Sequence, residues 1–422
     1  MIYALILFAI TYVLMLTFSK YRPYIALASA LVFILTGMLP LDQIFTAIDW
    51  NVLLMIAGTM GLVQLFIDSH MPARLADMIM TKVPNVQMAA VALALFAGII
   101  SAFVDNVATV LMVAPVALAI CKKLNTNPVP FIIGIAVSSN LQGAATLVGD
   151  TTAIMLGSYA DMSFLDFFWY KGRPGIFFAV ELGAVASALI LAWLFRKEKK
   201  PIDRATQLTP VTDYVPTVLL AGMIVLLISA SFLPSKPDIT NGLICVTLFV
   251  IGMVYTYVRT RKTEAFIGPI KSIDFETIGL LLGLFLVIGG ITHMGVVDAA
   301  AGLLARMGGG NVFLIYTVIV WASVLFSAFI DNIPYVATML PVVTGLASTL
   351  GIDPTLLYFG LLSGATLGGN MTPIGASANI AGIGILRREG YEVKTGDFCR
   401  IGIPFTLAAV IPAYIYFWVL FA

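Results

Sequence analysis

Two Asp-Asn pairs, Asp105-Asn106 and Asp331-Asn332, stand in the middle of long apolar stretches. A carboxylate drawn into lipid is costly, so an intramembrane aspartate marks an ion path, a proton relay or a substrate site by default. The two pairs belong to one repeated motif. SAFVDNVATVLMVAP (101–115) returns as SAFIDNIPYVATMLP (327–341), with seven of fifteen positions identical and two more exchanging Val for Ile. Asp and Asn are also good N-caps, and Pro334 is tolerated in a first helical turn. The bland reading is therefore a cap that closes a turn. An acid kept at the same place in both copies favours the ion or substrate reading. Asp105, Asn106, Asp331 and Asn332 are thus candidate Na⁺ ligands, and an aspartate in a dry cleft can exchange a proton for Na⁺.

A second pair of segments adds to the constellation. SSNLQGAATLVGDTTAI (138–154) aligns with SGATLGGNMTPIGASANI (363–380) by placing Thr146 on Thr372 and Gly149 on Gly375. Small and glycine residues permit unwinding inside the membrane. Freed carbonyls then suit cations, and half-helix N-termini suit anions. Plain small-residue packing does not account for Asn140, Asp150, Asn370 and Asn379 at that depth. With Thr146, Thr372 and Ser377 these complete the candidate site. Asp105, Asp150 and Asp331 are expected near its centre, with no Lys or Arg beside them. Such a centre favours Na⁺, H⁺, a neutral solute, or an anion that enters together with cations. Glu181 reads equally as a polar seam or a proton relay, and His70 and His293 read as interfacial.

The elements that must hold these residues follow from composition. The chain is 60% hydrophobic and 11% charged, where soluble domains carry about 25% charged residues. It is a polytopic all-α membrane protein. A net charge of +1 gives no sign of nucleic-acid binding. Three scattered cysteines and two histidines give neither a disulfide framework nor a metal centre, and no nucleotide-binding motif or other cofactor signature is present. Lys20 and Arg22 follow the first apolar run instead of preceding it, so this run reads as a retained span. Spans are predicted over 2–19, 24–40 and 50–67, then an amphipathic stretch from Pro72 to Lys82, a hairpin over 87–121, an interrupted span over 128–157 and a last span over 174–195. A charged linker, 196–213, leads to 214–233, 240–258, 275–292, a hairpin over 311–349, an interrupted span over 354–386 and 401–421. The domains are therefore 1–195, the linker and 214–422.

Each arm of an Asp-Asn stretch covers roughly 22–27 Å of helix, short of the roughly 30 Å hydrocarbon core. Re-entrant hairpins are expected, their turns tolerated only inside protein or beside a water-filled cavity. Each half then crosses an odd number of times, so the second half is inverted, the plan of many secondary transporters. With the N-terminus outside, nineteen of the 23 basic residues fall on the cytoplasmic side, as the positive-inside rule asks. Both termini are then extracytoplasmic and the linker cytoplasmic.

Through SAFVDNVATV, SAFIDNIPYVATMLP, SSNLQGAATLVGD and LGGNMTPIGASANI the chain resembles the ion transporter superfamily along its whole length. The nearest branch is that of arsenite-efflux (ArsB) and NhaD-type permeases and the melanosomal P protein, which share a citrate-transporter-like domain. The related divalent-anion/Na⁺ symporters carry Ser-Asn-Thr at the hairpin turns, where this chain has Asp105-Asn106-Val107 and Asp331-Asn332-Ile333. The resemblance implies a scaffold, a moving unit of hairpins and broken helices, a homodimer and an inner-membrane location. The expected function is a secondary transporter of a small inorganic ion or oxyanion, coupled to Na⁺ or H⁺, and not an enzyme. A Na⁺-coupled anion or carboxylate symporter, and a passive channel for a neutral solute such as arsenous acid, are the alternatives. An intramembrane aspartyl protease fits poorly, because Leu147 stands where the first glycine of a Gly-x-Gly-Asp motif should be.

Overall fold

The computed structural model describes residues 1–201, 208–233 and 236–422, so residues 202–207 of the expected linker lie outside the described residues. Among the described residues the chain is helical apart from one small hairpin, Trp169–Tyr170 with Arg173–Pro174, turned by Lys171 and Gly172 at positive φ. Seven described helices are long and apolar enough to cross a bilayer. Two further apolar pairs turn back on themselves, Ile2–Thr17 with Ser19–Leu35 by 116° and Val296–Gly308 with Val312–Ser327 by 118°. Large side chains such as Leu31, Leu189, Val218 and Val419 stand exposed on the outside, as a lipid-facing rim requires.

The same local signals start the same helices in both halves. Asn85 and Asn311 cap the leading arms of the hairpins, accepting from the Met88 and Leu314 N–H groups at 2.9 and 3.1 Å. Asp49 and Asp274 cap Trp50–Asp68 and Phe275–His293, accepting from Val52 and Thr277, each at 3.0 Å. Each such cap satisfies an orphan donor and is worth about 1 kcal/mol.

Two helix crossings make the frame. Trp50–Asp68 packs along Thr240–Thr260, and Arg22–Leu35 packs along Phe275–His293, so each crossing joins the third span of one half to the second span of the other. A glycine stands at each crossing. A Cβ on Gly58 would lie 2.5 Å from the Cys245 carbonyl carbon, and one on Gly283 would lie 2.6 Å from that of Ala26. Only a bare backbone lets these helices meet. Ile2–Thr17 and Val215–Ser231 flank the frame.

The central unit holds the hairpins and broken helices. The hairpins are Val86–Ser101 with Asn106–Leu124 and Val312–Ser327 with Asn332–Leu350. Their leading arms have 16 residues, about 24 Å, as the sequence predicts. The returning arms are longer than expected, at 19 residues, and each contains a proline, Pro115 or Pro341. The broken helices are Val129–Gly143 with Thr151–Tyr159 and Thr355–Gly368 with Ser377–Arg388. Each leading arm packs on the first piece of its own broken helix, and each returning arm packs on the second piece of the other half's. The two halves therefore interlock. The last spans, Ile176–Leu194 and Thr395–Phe421, pack on each other, and Ser187 Oγ donates to the Phe405 carbonyl at 3.0 Å. Two short helices, Glu264–Ser272 and Val296–Gly308, escape the sequence reading. The second is the counterpart of Met71–Met80, with which the predicted amphipathic stretch agrees.

Candidate substrate and ion site

Each hairpin turn is pinned to the break of its own broken helix by matched contacts. Thr146 Oγ1 donates to the Ala102 carbonyl, and Thr372 Oγ1 donates to the Ala328 carbonyl. A Cβ on Gly149 would lie 2.6 Å from the Gly143 and Ser101 oxygens, and one on Gly375 would lie 2.5 Å from Gly369 O and 2.7 Å from Ser327 O. Asn379 Nδ2 bridges the second break, donating to the Gly369 and Thr372 carbonyls at 3.0 Å each. The structure thus places Thr146, Thr372 and Asn379 at the joints, with their side chains engaged by the backbone.

Asn140 lies on the line relating the two halves. Its Nδ2 donates to the Thr366 carbonyl at 2.7 Å and to Asn370 Oδ1 at 3.0 Å. Residues 140 and 366 are separated by the repeat offset of 226. Equivalent residues of two copies can touch only where the axis relating the copies passes between them. Thr152 Oγ1 meets Thr366 Oγ1 at 2.9 Å beside them. All of these side chains are buried.

Next to this axis lies a cavity of about 340 Å³. The first residues of four half-helices, Asn106, Thr151, Asn332 and Ser377, line it together with Asp105 and Asp150. The structure therefore brings both hairpin turns to one space. Gln64 and Asp274 of the frame also line it, and the sequence reading missed both. Their signal was weak, although Asp274 caps its helix as Asp49 does in the first half. Glu181 is half-buried and lies away from the cavity lining, while His70 and His293 stand exposed at helix ends.

The two turns differ in detail. In the first, Asp105 accepts the Val107 and Ala108 N–H groups at 3.0 Å, both on Oδ2, so that Oδ1 stays unengaged. Asn106 Nδ2 donates to Asn140 Oδ1 at 3.0 Å and to Asp150 Oδ1 at 3.5 Å. Asp150 Oδ2 accepts from Thr152 Oγ1 at 2.7 Å. Among the described residues, neither Asp105 nor Asp150 has a basic partner. In the second turn Pro334 replaces Ala108 and has no N–H to give. Asp331 then caps only Ile333, at 3.2 Å. Its Oδ2 instead accepts from Arg22 Nη1 at 3.2 Å and from Ser377 Oγ at 3.3 Å.

This corrects one expectation. Arg22, counted in the sequence reading among the basic residues of the cytoplasmic side, pairs with Asp331, so the second turn is not free of a basic side chain. A guanidinium on a long stem lies well away from its own backbone. Neither Arg22 nor Asp331 lines the cavity. Asn332 Nδ2 is buried without a partner among the described residues, because Thr366 and Ala376 stand where Asn140 and Asp150 serve Asn106.

A second cavity, of about 540 Å³, is the counterpart of the first. Asp49, Val52, Ile288 and Ala337 line it where Asp274, Thr277, Val63 and Leu111 line the other, at the repeat offset to within one residue. It runs along Ala337, Leu340 and Pro341 and stops short of both Asp-Asn turns. Only one of the two related vestibules reaches the centre.

Comparison with known proteins agrees with this architecture. The chain matches the citrate transporter family over residues 5–263 and 243–422. It belongs to that family. An uncharacterized transporter of Mycobacterium tuberculosis is 30% identical over 427 residues, covering 98% of this chain and 97% of its own length. The P protein of Homo sapiens is 29% identical over 387 residues, covering 74% of this chain and 46% of its own. The YdaH transporter of Alcanivorax borkumensis shares the fold, with a TM-score of 0.62 at 16% identity over 89% of this chain and 87% of that one. This citrate transporter family member is thus a multi-pass membrane transporter of the ion transporter superfamily, as the motifs imply.

Proposed function

We propose that the protein is a secondary active transporter of a small inorganic ion, coupled to Na⁺ or H⁺, with Asp105 as the coupling carboxylate and Asp150 beside it. The observation that carries this reading is a cavity between both hairpin turns, lined by three carboxylates, Asp105, Asp150 and the capping Asp274, none of which has a basic partner among the described residues. An uncompensated charge held away from bulk water is strongly unfavourable. Such carboxylates are met by a cation or by a proton. Asp105 Oδ1 is unengaged, and Asn106 of the same turn lines the cavity with it. With the N-terminus outside, the open cavity lies on the cytoplasmic side and its counterpart on the outer side. Exchanging which vestibule reaches the turns is alternating access. The interlocked hairpins and broken helices would move against the frame, within a homodimer in the inner membrane.

One observation favours a second reading, a cation-coupled symporter of an anion or carboxylate. The helices starting at Thr151 and Ser377 begin without a side-chain cap and open onto the cavity. Their positive ends suit an anion that arrives with a cation.

Purified protein in liposomes, offered a panel of inorganic ions, oxyanions and carboxylates with Na⁺ and pH gradients imposed separately, tests both readings. Uptake should follow one imposed cation gradient and show trans-stimulated exchange. Uptake indifferent to both gradients, without counterflow, would indicate a channel and end the proposal. Orientation is checked by labelling with a membrane-impermeant thiol reagent. Cys121 and Cys245 are buried, so Cys399→Ser leaves a quiet background. Lys197→Cys, exposed on the protein, should resist the reagent in intact cells, and labelling there would reverse the assigned orientation.

A further inference from the structure

Asp331 holds in the second half the place that Asp105 holds in the first, at the offset of 226 residues. Two repeat-related carboxylates at two repeat-related turns define two cation sites of one design. The first has no basic side chain beside it. In the second, Arg22 Nη1 lies 3.2 Å from Asp331 Oδ2, and Ser377 Oγ lies 3.3 Å from the same oxygen. Pro334 removes the second backbone donor that Asp105 uses, so Asp331 has one capping bond fewer, and its Oδ2, like Oδ1 of Asp105, is left to other partners. Arg22 has no basic counterpart in the other half: the matched crossings of Gly58 on Cys245 and Gly283 on Ala26 relate these spans, and they place Asn241 at the corresponding position. The first helix is bound to the same hairpin, because Tyr12 Oη donates to the Pro334 carbonyl at 2.6 Å and meets Thr338 Oγ1.

We propose that Arg22 is a built-in cation: its guanidinium fills the second of two repeat-related cation sites, so that only the Asp105 site takes up a mobile Na⁺ or H⁺. This rests on the reading of Asp105 given above. A guanidinium is always charged in proteins, and it is covalently part of the chain, so the second site holds a cation that cannot be released during a transport cycle. The ancestral two-site plan is thereby reduced to one exchangeable ion. Arg22 is also ruled out as a ligand for an anionic substrate in this arrangement, because it does not line the cavity and its charge is answered by Asp331. An ordinary structural ion pair would look similar in the wild type. The two differ in what happens when the guanidinium is removed, since a vacated cation site can be refilled from solution and a broken brace cannot.

The test uses the full chain in detergent, with thermal unfolding followed during a Na⁺ titration against choline at fixed ionic strength and, separately, a pH titration. Wild type should show one-site stabilisation by whichever cation couples. Arg22→Ala should melt lower in choline and recover with that cation, and its response should steepen to two sites. Arg22→Ala with Asp331→Asn should return to one site. Asp105→Asn should abolish the wild-type response, yet a single site should persist when it is combined with Arg22→Ala. An Arg22→Ala protein that melts lower, keeps a one-site response and is not rescued by Na⁺ or H⁺ makes the pair a brace only and overturns the proposal. A wild type that responds to neither cation, or an Asp105→Asn protein that still responds as wild type does, defeats the reading of Asp105 itself. Where Arg22→Ala alone does not fold, the double substitution takes its place. An unchanged one-site response supports the proposal, and loss of the response overturns it by making the pair part of the mobile-ion site.

Discussion

The two hairpin modules share a sequence plan and differ in how they treat charge. In the first, one aspartate caps two N–H groups with a single oxygen and leaves the other without a hydrogen bond, and a second acid, Asp150, joins it through Asn106. In the second, a proline takes away one donor, an arginine answers the aspartate, and alanine stands where the second acid would be. The breaks differ in the same sense. Residues 144–150 are all buried, whereas Met371, Thr372 and Pro373 are half-buried and Ile374 is 56% exposed. The repeats thus place like carboxylates at like turns, and a handful of differences leave one without a basic partner among the described residues and pair the other with an arginine. Overall likeness of the repeats is therefore a poor guide to equal roles. The partner of each carboxylate decides what it can do.

The largest expected effect separates the two aspartates. Asp105→Asn keeps the shape and capping ability, because Asn caps about as well as Asp. Stability should hardly change. Transport should fall by roughly 10–100-fold or lose its cation dependence, if the charged interaction is worth the usual 1.5–3 kcal/mol. Asp331→Asn should behave in the opposite way. It leaves Arg22 without its carboxylate, so unfolding temperature should drop while the residual transport remains cation-dependent. Initial rates under Na⁺ and pH gradients, set beside thermal melts, read both quantities. Equal effects of the two substitutions on both would erase the contrast.

The glycines at the breaks come next. A Cβ on Gly149 meets three backbone oxygens within 2.8 Å, and one on Gly375 meets two within 2.7 Å and a third at 3.0 Å. Backbone cannot give way as a side chain can, so Gly149→Ala should cost about 1–3 kcal/mol of stability. Gly375→Ala should cost less, because its break is partly open and can shift. A smaller loss at Gly149 than at Gly375 would show that burial does not set the stiffness of these joints.

Much of this was legible in the sequence. Composition gave the class, and the duplicated Asp-Asn motif gave the hairpins and the residues that face one another. Asn140 was legible as an anomaly, an amide in an apolar run, although its place on the axis was not. Thr146, Thr372 and Asn379 were visible as polar residues in glycine-rich breaks, but a hydroxyl or amide there looks the same whether it meets an ion or a carbonyl. Arg22 was misread for a plain reason. Its partner is 309 residues away, and no local pattern tells a surface arginine from one whose stem folds inward. The helices Glu264–Ser272 and Val296–Gly308 are short and amphipathic, and the first contains Pro269, so neither produces an apolar run.

A smaller effect probes why the second turn needs a partner for its acid. Pro334→Ala restores the N–H that Ala108 supplies in the first half. The new donor lies within reach of the Asp331 carboxylate in the geometry Asp105 uses. One added capping bond is worth about 1 kcal/mol at most, partly offset by the greater freedom of the unfolded chain without proline. The melting temperature should therefore move little. The Arg22→Ala substitution should, however, be less damaging in the Pro334→Ala background than alone. A double-mutant cycle on the two positions measures this coupling, and strict additivity would mean that the proline has no bearing on the arginine.

The smallest effect serves as the control for the buried pair. Lys171 and Asp353 also join the two halves, with Nζ 2.6 Å from Oδ2, but their side chains are 49% and 56% exposed. Partial burial works against the Asp353 carboxylate, yet hydrogen bonds from Lys171 and Thr355 outweigh it and hold its pKa below the ordinary value. A group whose folded pKa is lowered stabilises the fold above its unfolded pKa and loses that contribution as pH falls through the folded one. Lys171→Met should thus cost under about 1 kcal/mol near neutral pH, as exposed pairs do. The difference from wild type should fade below about pH 4, where aspartate protonates. It should also shrink in high salt, whereas the half-buried Arg22–Asp331 pair should feel salt less. Transport by Lys171→Met should match wild type, since neither residue of the pair lines the cavity. A transport defect as large as that of Asp105→Asn would mean that any bond between the halves governs activity. The contrast drawn between the two hairpin turns would then have to be sought in their mechanical coupling and not in their charge.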